Sequence, residues 1–90
     1  MAIKPRAICS DGVSLSIQAS RTHYCEPRDD EGPYYEMEVG YIQDANGDTL
    51  APPESWLPYA DGTEFPSVVY GYVPIELIDA FIAEHGGRKQ

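Results

Sequence analysis

One stretch limits the fold of this chain more than any other: residues 68–87 hold the one segment with a clear helical pattern, directly after a run typical of a strand. From Ile75 to His85, apolar side chains recur at helical spacing and the acidic ones fall on the other side. Pro74 fits the first helical position, and Gly86 suits a left-handed end. A helix of about three turns is not stable alone in water, so its apolar side must pack on something else. The rest of the chain offers only strands, which predicts a helix on a sheet.

The strand predictions depend on alternation of apolar and polar side chains. Val13 to Ser20 alternates throughout, so one side of this strand is predicted to be buried and the other, with its serines and Gln18, to be exposed. Tyr34 to Ile42 also alternates, with Tyr35, Met37, Val39 and Tyr41 on the predicted buried side. Ile3 to Cys9 is predicted to be a short edge strand, joined to the next by an Asp-Gly turn. Val68 to Val73 is predicted to be the last strand.

Two connections separate these strands. Arg21 to Pro33 is predicted to be an exposed loop, and Ala51 to Ser67 a long loop without a regular element because it carries four prolines and a glycine. Gly71 indicates a bulge, or a neighbour close to the backbone, in the last strand. The predicted fold is α+β, a single domain over residues 1–90: an antiparallel sheet of four to five strands with one C-terminal amphipathic helix packed on one face.

Charge is the most unusual global property. The net charge is −9, and the span from Glu26 to Glu84 holds 14 of the 15 acidic residues with one base, Arg28. Direct binding to nucleic acid is disfavoured because phosphate contacts need Lys and Arg. A protein with a basic surface is the better-matched partner. The alternative is that the acids only keep a small domain soluble.

The chain contains no apolar run of the roughly 20 residues needed to cross a bilayer, and its first residues lack a signal-peptide core. The sequence therefore predicts a soluble intracellular protein with no membrane partner.

Candidate chemistry centres on Cys9, His23 and Cys25. With His85 or water they would supply enough ligands for zinc, but the paired C-x-x-C spacing that makes a zinc prediction strong is missing. Free buried thiols are the preferred interpretation, and a disulfide is the alternative. Cys25 and His23 lack an evident oxyanion hole, and His85 is interpreted as a packed or capping residue. The prediction is a protein that is not an enzyme, with no catalytic residue, metal or cofactor.

Asp44 to Asp48 places oxygen ligands at alternate positions, as calcium loops do. It lacks the glycine at position six and the glutamate at position twelve, where Thr49 and Ser55 stand. Asn46-Gly47 instead predicts a hairpin turn onto a short strand around Asp48 to Leu50.

The acidic surface is the predicted partner-binding site. Glu36 and Glu38 share the polar side of a strand, roughly 6.6 Å apart at the rise of an extended chain. Aromatic residues carry much of the energy of interfaces, so Tyr34, or Trp56 from the long loop, is predicted to anchor the partner. The predicted binding residues are Glu26, Asp29, Asp30, Glu31, Tyr34, Glu36, Glu38 and Trp56. The alternative is a solvated face with aromatic residues that only cover the core.

Two stretches, SIQASRTHYCEPRDDEGPYYEMEVGYI and VVYGYVPIELIDAFIAEHGG, resemble segments of small proteins encoded by bacteriophages and prophages. They cover about half the chain and carry no catalytic signature. Small acidic phage proteins of this kind include anti-CRISPR proteins, several of which bind Cas proteins where DNA would bind. By that resemblance, the predicted function is a non-catalytic, phage-derived inhibitor of a host defence complex. It would act in the host cytoplasm by laying its acidic face on a basic nucleic-acid channel, as a DNA mimic.

Two other functions stay open. One is a small-ligand or zinc-binding domain that uses His23 and Cys25, and the other is a phage accessory protein with a different protein partner. The predicted edge strand and the apolar residues of the long loop are also compatible with a homodimer.

Overall fold

The computed structural model describes residues 6–20, 23–27, 31–61 and 69–89. This part of the chain contains a four-stranded antiparallel sheet, in which the strands lie in the order of the sequence. The strands are β1 (Ala7–Ile8), β2 (Ser14–Gln18), β3 (Glu36–Gln43) and β4 (Val69–Pro74). A 3₁₀ helix spans Glu54–Tyr59, and α1 spans Ile75–Glu84. The predicted α+β fold with a C-terminal helix is confirmed.

One face of the sheet carries the core. Ile17 of β2 pairs with Val39 of β3, and Val39 pairs with Tyr70 of β4, so these three buried side chains lie side by side. Trp56 of the 3₁₀ helix packs between Tyr70 and Phe81 of α1, with ring-centroid distances of 5.7 Å and 5.6 Å. The 3₁₀ helix and α1 therefore share one side of the sheet and close the core together.

The helix begins and ends close to the predicted residues. Pro74 has extended backbone angles and immediately precedes α1, rather than occupying its first position. At the other end Gly86 takes a positive φ, and Gly87 N donates to Ile82 O at 2.9 Å. Beyond this turn, Lys89 N donates to Ile8 O at 2.7 Å. The residues after α1 thus return to the outer edge of β1.

Within the described residues, the edge strand is shorter than predicted. Of the predicted Ile3 to Cys9, residues 3–5 lie outside the described residues, β1 holds Ala7 and Ile8, and Cys9 forms an isolated bridge with Arg88. Cys9 N also donates to Val13 O at 2.7 Å, across the turn that the Asp-Gly pair predicted. The hairpin between β1 and β2 is therefore confirmed.

Two β-bulges alter the predicted facing of side chains. Between the pairs Ser14–Gln43 and Ser16–Gly40, β3 has one residue more than β2, and Tyr41 takes a φ of 52°. The extra residue turns Ile42 into the core and leaves Tyr41 exposed, so the prediction that Tyr41 is buried is wrong. Tyr35, placed on the same side by alternation, is exposed because it precedes the first residue of β3.

The second bulge lies in β4. Between the pairs Met37–Val73 and Val39–Tyr70, β4 has one residue more than β3, and Tyr72 takes a φ of 56°. A Cβ on Gly71 would lie 3.0 Å from Cβ of Tyr24. Both features predicted from Gly71, a bulge and a close neighbour, are therefore present.

The connection between β2 and β3 is not simply exposed. Gln18 and Ser20 at the end of β2 are buried, as is Cys25, whose Sγ donates to Ser20 O at 3.1 Å. The segment 23–27 then passes over β3 towards β4, where its backbone accepts a hydrogen bond from Tyr72 N at 2.9 Å. The prediction that the polar side of β2 is exposed along its whole length is therefore wrong, because this segment covers the end of that side.

The long loop also contains more structure than its prolines suggest. The 3₁₀ helix begins after Pro53, whose carbonyl accepts from Trp56 N at 2.9 Å. Proline is compatible with this short helix, and burial of Trp56 offsets the cost of ordering it. The prediction of no regular element is wrong for residues 54–59, and residues 62–67 of that loop lie outside the described residues. No helix within the described ranges is long and apolar enough to cross a membrane.

Candidate functional site

Two glutamates of the predicted acidic surface lie directly opposite each other. Glu26 and Glu36 form an isolated antiparallel bridge, with Glu26 N donating to Glu36 O at 2.9 Å and Glu36 N to Glu26 O at 3.3 Å. Side chains of opposed residues project to the same side of a ladder, and like charges placed in this way destabilise it. Within the described residues, no Lys or Arg side chain pairs with either carboxylate. A cation near both carboxylates would therefore stabilise this pair, and it would have to come from outside the described part of the chain.

Glu38 follows on the same side of β3 as Glu36, as predicted. Its Oε1 accepts a hydrogen bond from Tyr24 N at 3.3 Å, and its side chain is half-buried. Glu38 therefore also has a structural role, since it anchors the segment that crosses the sheet.

The remaining predicted binding residues separate into three groups. Asp29 and Asp30 lie outside the described residues. Glu31 is exposed, and Tyr34 is half-buried with its ring close to Gly32. Trp56 is only 1% exposed, so its predicted role as an anchor for a partner is wrong. Its indole is required in the core, between Tyr70 and Phe81.

Among the described residues, charge is distributed across the sheet rather than confined to one face. The described basic residues, Arg6, Arg88 and Lys89, lie at or beside β1. Exposed carboxylates lie on the connection before β3 and also on the outer side of α1, at Glu76, Asp79 and Glu84. The electrostatic asymmetry therefore runs from the basic β1 edge towards β3, β4 and the helix.

An aromatic groove lies at the outer edge of β4. Its lining residues are Tyr24, Pro58, Tyr59, Ala60, Asp61, Gly71 and Tyr72, and its volume is about 240 Å³. The rings of Tyr24 and Tyr72 lie 5.9 Å apart at 31°, and both side chains are exposed. Tyr72 is a bulky residue in the left-handed region, a strained conformation that is concentrated at functional sites.

Sequence reasoning missed this groove because two of its walls are distant in sequence from β4. A signal was nevertheless present: each bulge falls on a Gly-Tyr pair, Gly40-Tyr41 and Gly71-Tyr72. Glycine within a strand marks a bulge or a close approach, and an exposed aromatic residue next to it is a candidate contact residue.

The cysteines do not form a metal site in the described residues. Both thiols are free and buried, and Cys9 lies by the turn before β2 whereas Cys25 lies beyond the end of β2. His23 Nδ1 lies 2.6 Å from Ser20 Oγ. No group of three or more His, Cys, Asp or Glu residues in the described ranges is placed to hold a metal ion. Burial raises the pKa of the Cys9 thiol, with the Asp11 charge adding to the shift, so this thiol is a poor nucleophile.

The Asp44 loop is a hairpin turn. Asp44 Oδ1 accepts from Asn46 N at 2.8 Å and from Asp48 N at 3.1 Å, and Gln43 bridges to Thr49. The carboxylate that would begin a calcium loop is thus used to close the turn. Leu50 N donates to Ile42 O, but the predicted short strand is reduced to this bridge.

His85 links the end of α1 to the turn between β1 and β2. Its ring packs on Phe81 at 4.6 Å, its Nδ1 lies 2.6 Å from Asp11 Oδ2, and its carbonyl accepts from Asp11 N at 3.2 Å. The pKa of Asp11 is lowered, first by the hydrogen bond from Val13 N to its carboxylate and next by the hydrogen bond with His85. The interpretation of His85 as a packed residue at the helix end agrees with these contacts.

Comparisons of the chain with protein families, with curated proteins and with solved structures find no match. A functional assignment therefore depends on the chemistry of the residues described above.

Proposed function

We propose that this protein is a non-catalytic binding protein that attaches to a basic surface of another protein. It would do so through its acidic side, the part of its surface around Glu26 and Glu36. The partner we infer is a host nucleic-acid-binding complex, and most concretely a CRISPR-Cas surveillance complex whose DNA channel the acidic side would occupy. The protein would then act as a phage-derived, anti-CRISPR-like inhibitor and DNA mimic in the host cytoplasm.

The observation that carries this proposal is the opposed pair Glu26 and Glu36. Two carboxylates on opposed residues of a ladder repel each other, and this repulsion costs stability in the free protein. A basic group of a partner that approaches both would convert the repulsion into attraction. A nucleic-acid channel presents such groups in a row, because it is built to bind successive phosphates.

Net charge supports the same conclusion. At −9, the protein is repelled by nucleic acid and attracted to proteins that bind nucleic acid. All of the described bases lie at or beside β1, so within the described residues the surface around Glu26 and Glu36 carries carboxylates without a base, which would orient the protein as it approaches a positive channel.

The test begins with capture of partners from a bacterial lysate on immobilised protein at low salt. Binding of each captured protein is then measured with the wild type and with the double variant Glu26→Lys, Glu36→Lys. We expect a nucleic-acid-binding protein whose affinity falls at least about tenfold for the double variant. Glu38 is left unchanged because it also holds Tyr24 N in place.

The matched control is the double variant Asp79→Lys, Glu84→Lys, which makes the same change in net charge on the exposed side of α1. If the acidic pair forms the contact, this control binds much more tightly than the Glu26, Glu36 variant. Equal losses for the two variants, or no loss for either, would contradict the proposal.

A further inference from the structure

We propose that the aromatic groove at the edge of β4 binds the guanidinium group of an arginine side chain from a partner protein. This inference deepens the proposed function and rests on it, because it names the group that the acidic side recognises. The groove lies outside the acidic pair and was not among the binding residues predicted from the sequence.

The size of the groove favours a single side chain. Its volume of about 240 Å³ is below the range of about 300 to 1,000 Å³ that is typical of small-molecule sites. It is open along β4, and Tyr24 and Tyr72 present ring surface beside it. A side chain that enters from a partner's surface fits such an opening better than a separate ligand that must be enclosed.

The chemistry of the lining favours a planar cation. Aromatic faces carry negative potential and attract cations, and the acidic residue Asp61 is among the residues that line the groove. Glu38, beneath the backbone of Tyr24, adds negative potential near the same place. Arginine suits these rings better than lysine because its guanidinium is flat, weakly hydrated and able to stack.

The groove is also organised before any partner binds. Gly71 lets Tyr24 lie against the β4 backbone, since a Cβ there would come within 3.0 Å of Tyr24 Cβ. The bulge directs Tyr72 N to the carbonyl of Tyr24 at 2.9 Å, so the two residues are joined through backbone as well as rings. Residues fixed in advance lose little entropy on binding.

The probe is a blocked peptide with one arginine between glycines, compared with the same peptide carrying lysine or citrulline. Citrulline keeps the shape of arginine but removes its charge. Backbone amide shifts of the full-length protein are followed by NMR during titration. We expect the arginine peptide to shift the amide signals of Gly71 and Tyr72 with a dissociation constant on the order of 10 mM or weaker, because cation–π contacts with exposed rings are individually weak. The lysine peptide is expected to bind more weakly, and the citrulline peptide more weakly still.

The variants Tyr24→Leu and Tyr72→Leu keep apolar bulk but remove one ring each. Each is expected to weaken arginine-peptide binding about two- to fivefold. The matched control is Tyr41→Leu, which alters an exposed tyrosine with a similar positive φ, 52°, at the other bulge. It is expected to leave binding unchanged, and the amide spectrum of each variant shows whether the fold is retained.

Equal binding of the arginine and citrulline peptides, equal binding of arginine and lysine, or equal effects of Tyr41→Leu and the groove variants would overturn the assignment. These outcomes are separate from those that test the proposed function. A partner that loses affinity with Glu26→Lys, Glu36→Lys but binds the tyrosine variants normally supports the proposed function and contradicts the arginine groove. If the arginine peptide binds as expected but no basic partner is captured, the result supports the arginine groove and contradicts the proposed function.

Discussion

At the scale of the residue, the 3₁₀ helix contains two adjacent large apolar side chains with opposite surroundings. Trp56 is 1% exposed and packs on two core rings, whereas Leu57 is 54% exposed. We predict that Trp56→Ala lowers the free energy of unfolding by about 3–5 kcal/mol, because it leaves a large cavity. Leu57→Ala, the matched control, is expected to change it by less than about 0.5 kcal/mol. Urea denaturation measures both, and similar losses for the two variants would show that Trp56 is not a core residue.

Asp11 provides a second prediction at this scale. Its pKa is lowered in the folded protein, so its contribution to stability is complete above the unfolded pKa near 3.8 and is lost as pH falls through the folded value. We therefore expect the gap in urea midpoint between the wild type and Asp11→Asn to shrink as pH falls from about 5 to about 2. His85→Ala should keep more of this pH dependence than Asp11→Asn, because the hydrogen bond from Val13 N is the larger cause of the shift. A gap that stays constant with pH would contradict this account of Asp11.

At the scale of the element, the end of α1 is held against the turn between β1 and β2. Gly86 has a φ of 89°, and a Cβ there would lie 3.0 Å from Ser10 Cβ. We predict that Gly86→Ala destabilises the protein by more than the roughly 1 kcal/mol expected from a positive φ alone. Gly47→Ala isolates that strain, because Gly47 has a φ of 86° and a Cβ there would meet nothing within 4 Å beyond its chain neighbours. Thermal unfolding of both variants gives the comparison, and an equal loss would mean that the contact with Ser10 contributes nothing.

The elements also show what the sequence can and cannot predict. The amphipathic helix and the core side of β2 follow from local periodicity, and the β1–β2 hairpin follows from the Asp-Gly pair; these predictions are confirmed. The exposure of Tyr41 could not be predicted in this way, because one extra residue at a bulge reverses the facing of every residue beyond it. The burial of Cys25 and the order in residues 54–59 depend on packing between segments far apart in sequence, which local patterns do not encode.

The candidate site also contains some features that the sequence predicts and others that it does not. The acidic surface was predictable from composition, and Glu26, Glu31, Glu36 and Glu38 are at least partly exposed in the structure. Trp56 was predicted to be an anchor because aromatic residues carry much of the energy of interfaces, but its ring is buried in the core instead. Tyr24 and Tyr72 meet only because a connection between β2 and β3 crosses to β4. No local pattern in the sequence specifies that contact.

At the scale of the whole molecule, charge is the property that most separates this protein from an ordinary small domain. A net charge of −9 on 90 residues raises self-repulsion in the compact state. We expect added salt to raise the midpoint of thermal unfolding, because screening reduces this repulsion over a Debye length of about 10 Å at 0.1 M. A midpoint that falls or stays constant as sodium chloride rises would indicate that internal ion pairs, rather than uncompensated acids, dominate the electrostatics.

The central claim is that the acidic side occupies a surface on which another protein binds nucleic acid. The most direct measurement is competition: the complex with a captured partner is titrated with a short DNA duplex at salt concentrations of about 0.05 M and about 0.3 M. The account predicts that the duplex displaces the protein completely, and that the complex itself dissociates more readily at the higher salt. A ternary complex of partner, duplex and this protein, with an affinity independent of salt, would contradict it.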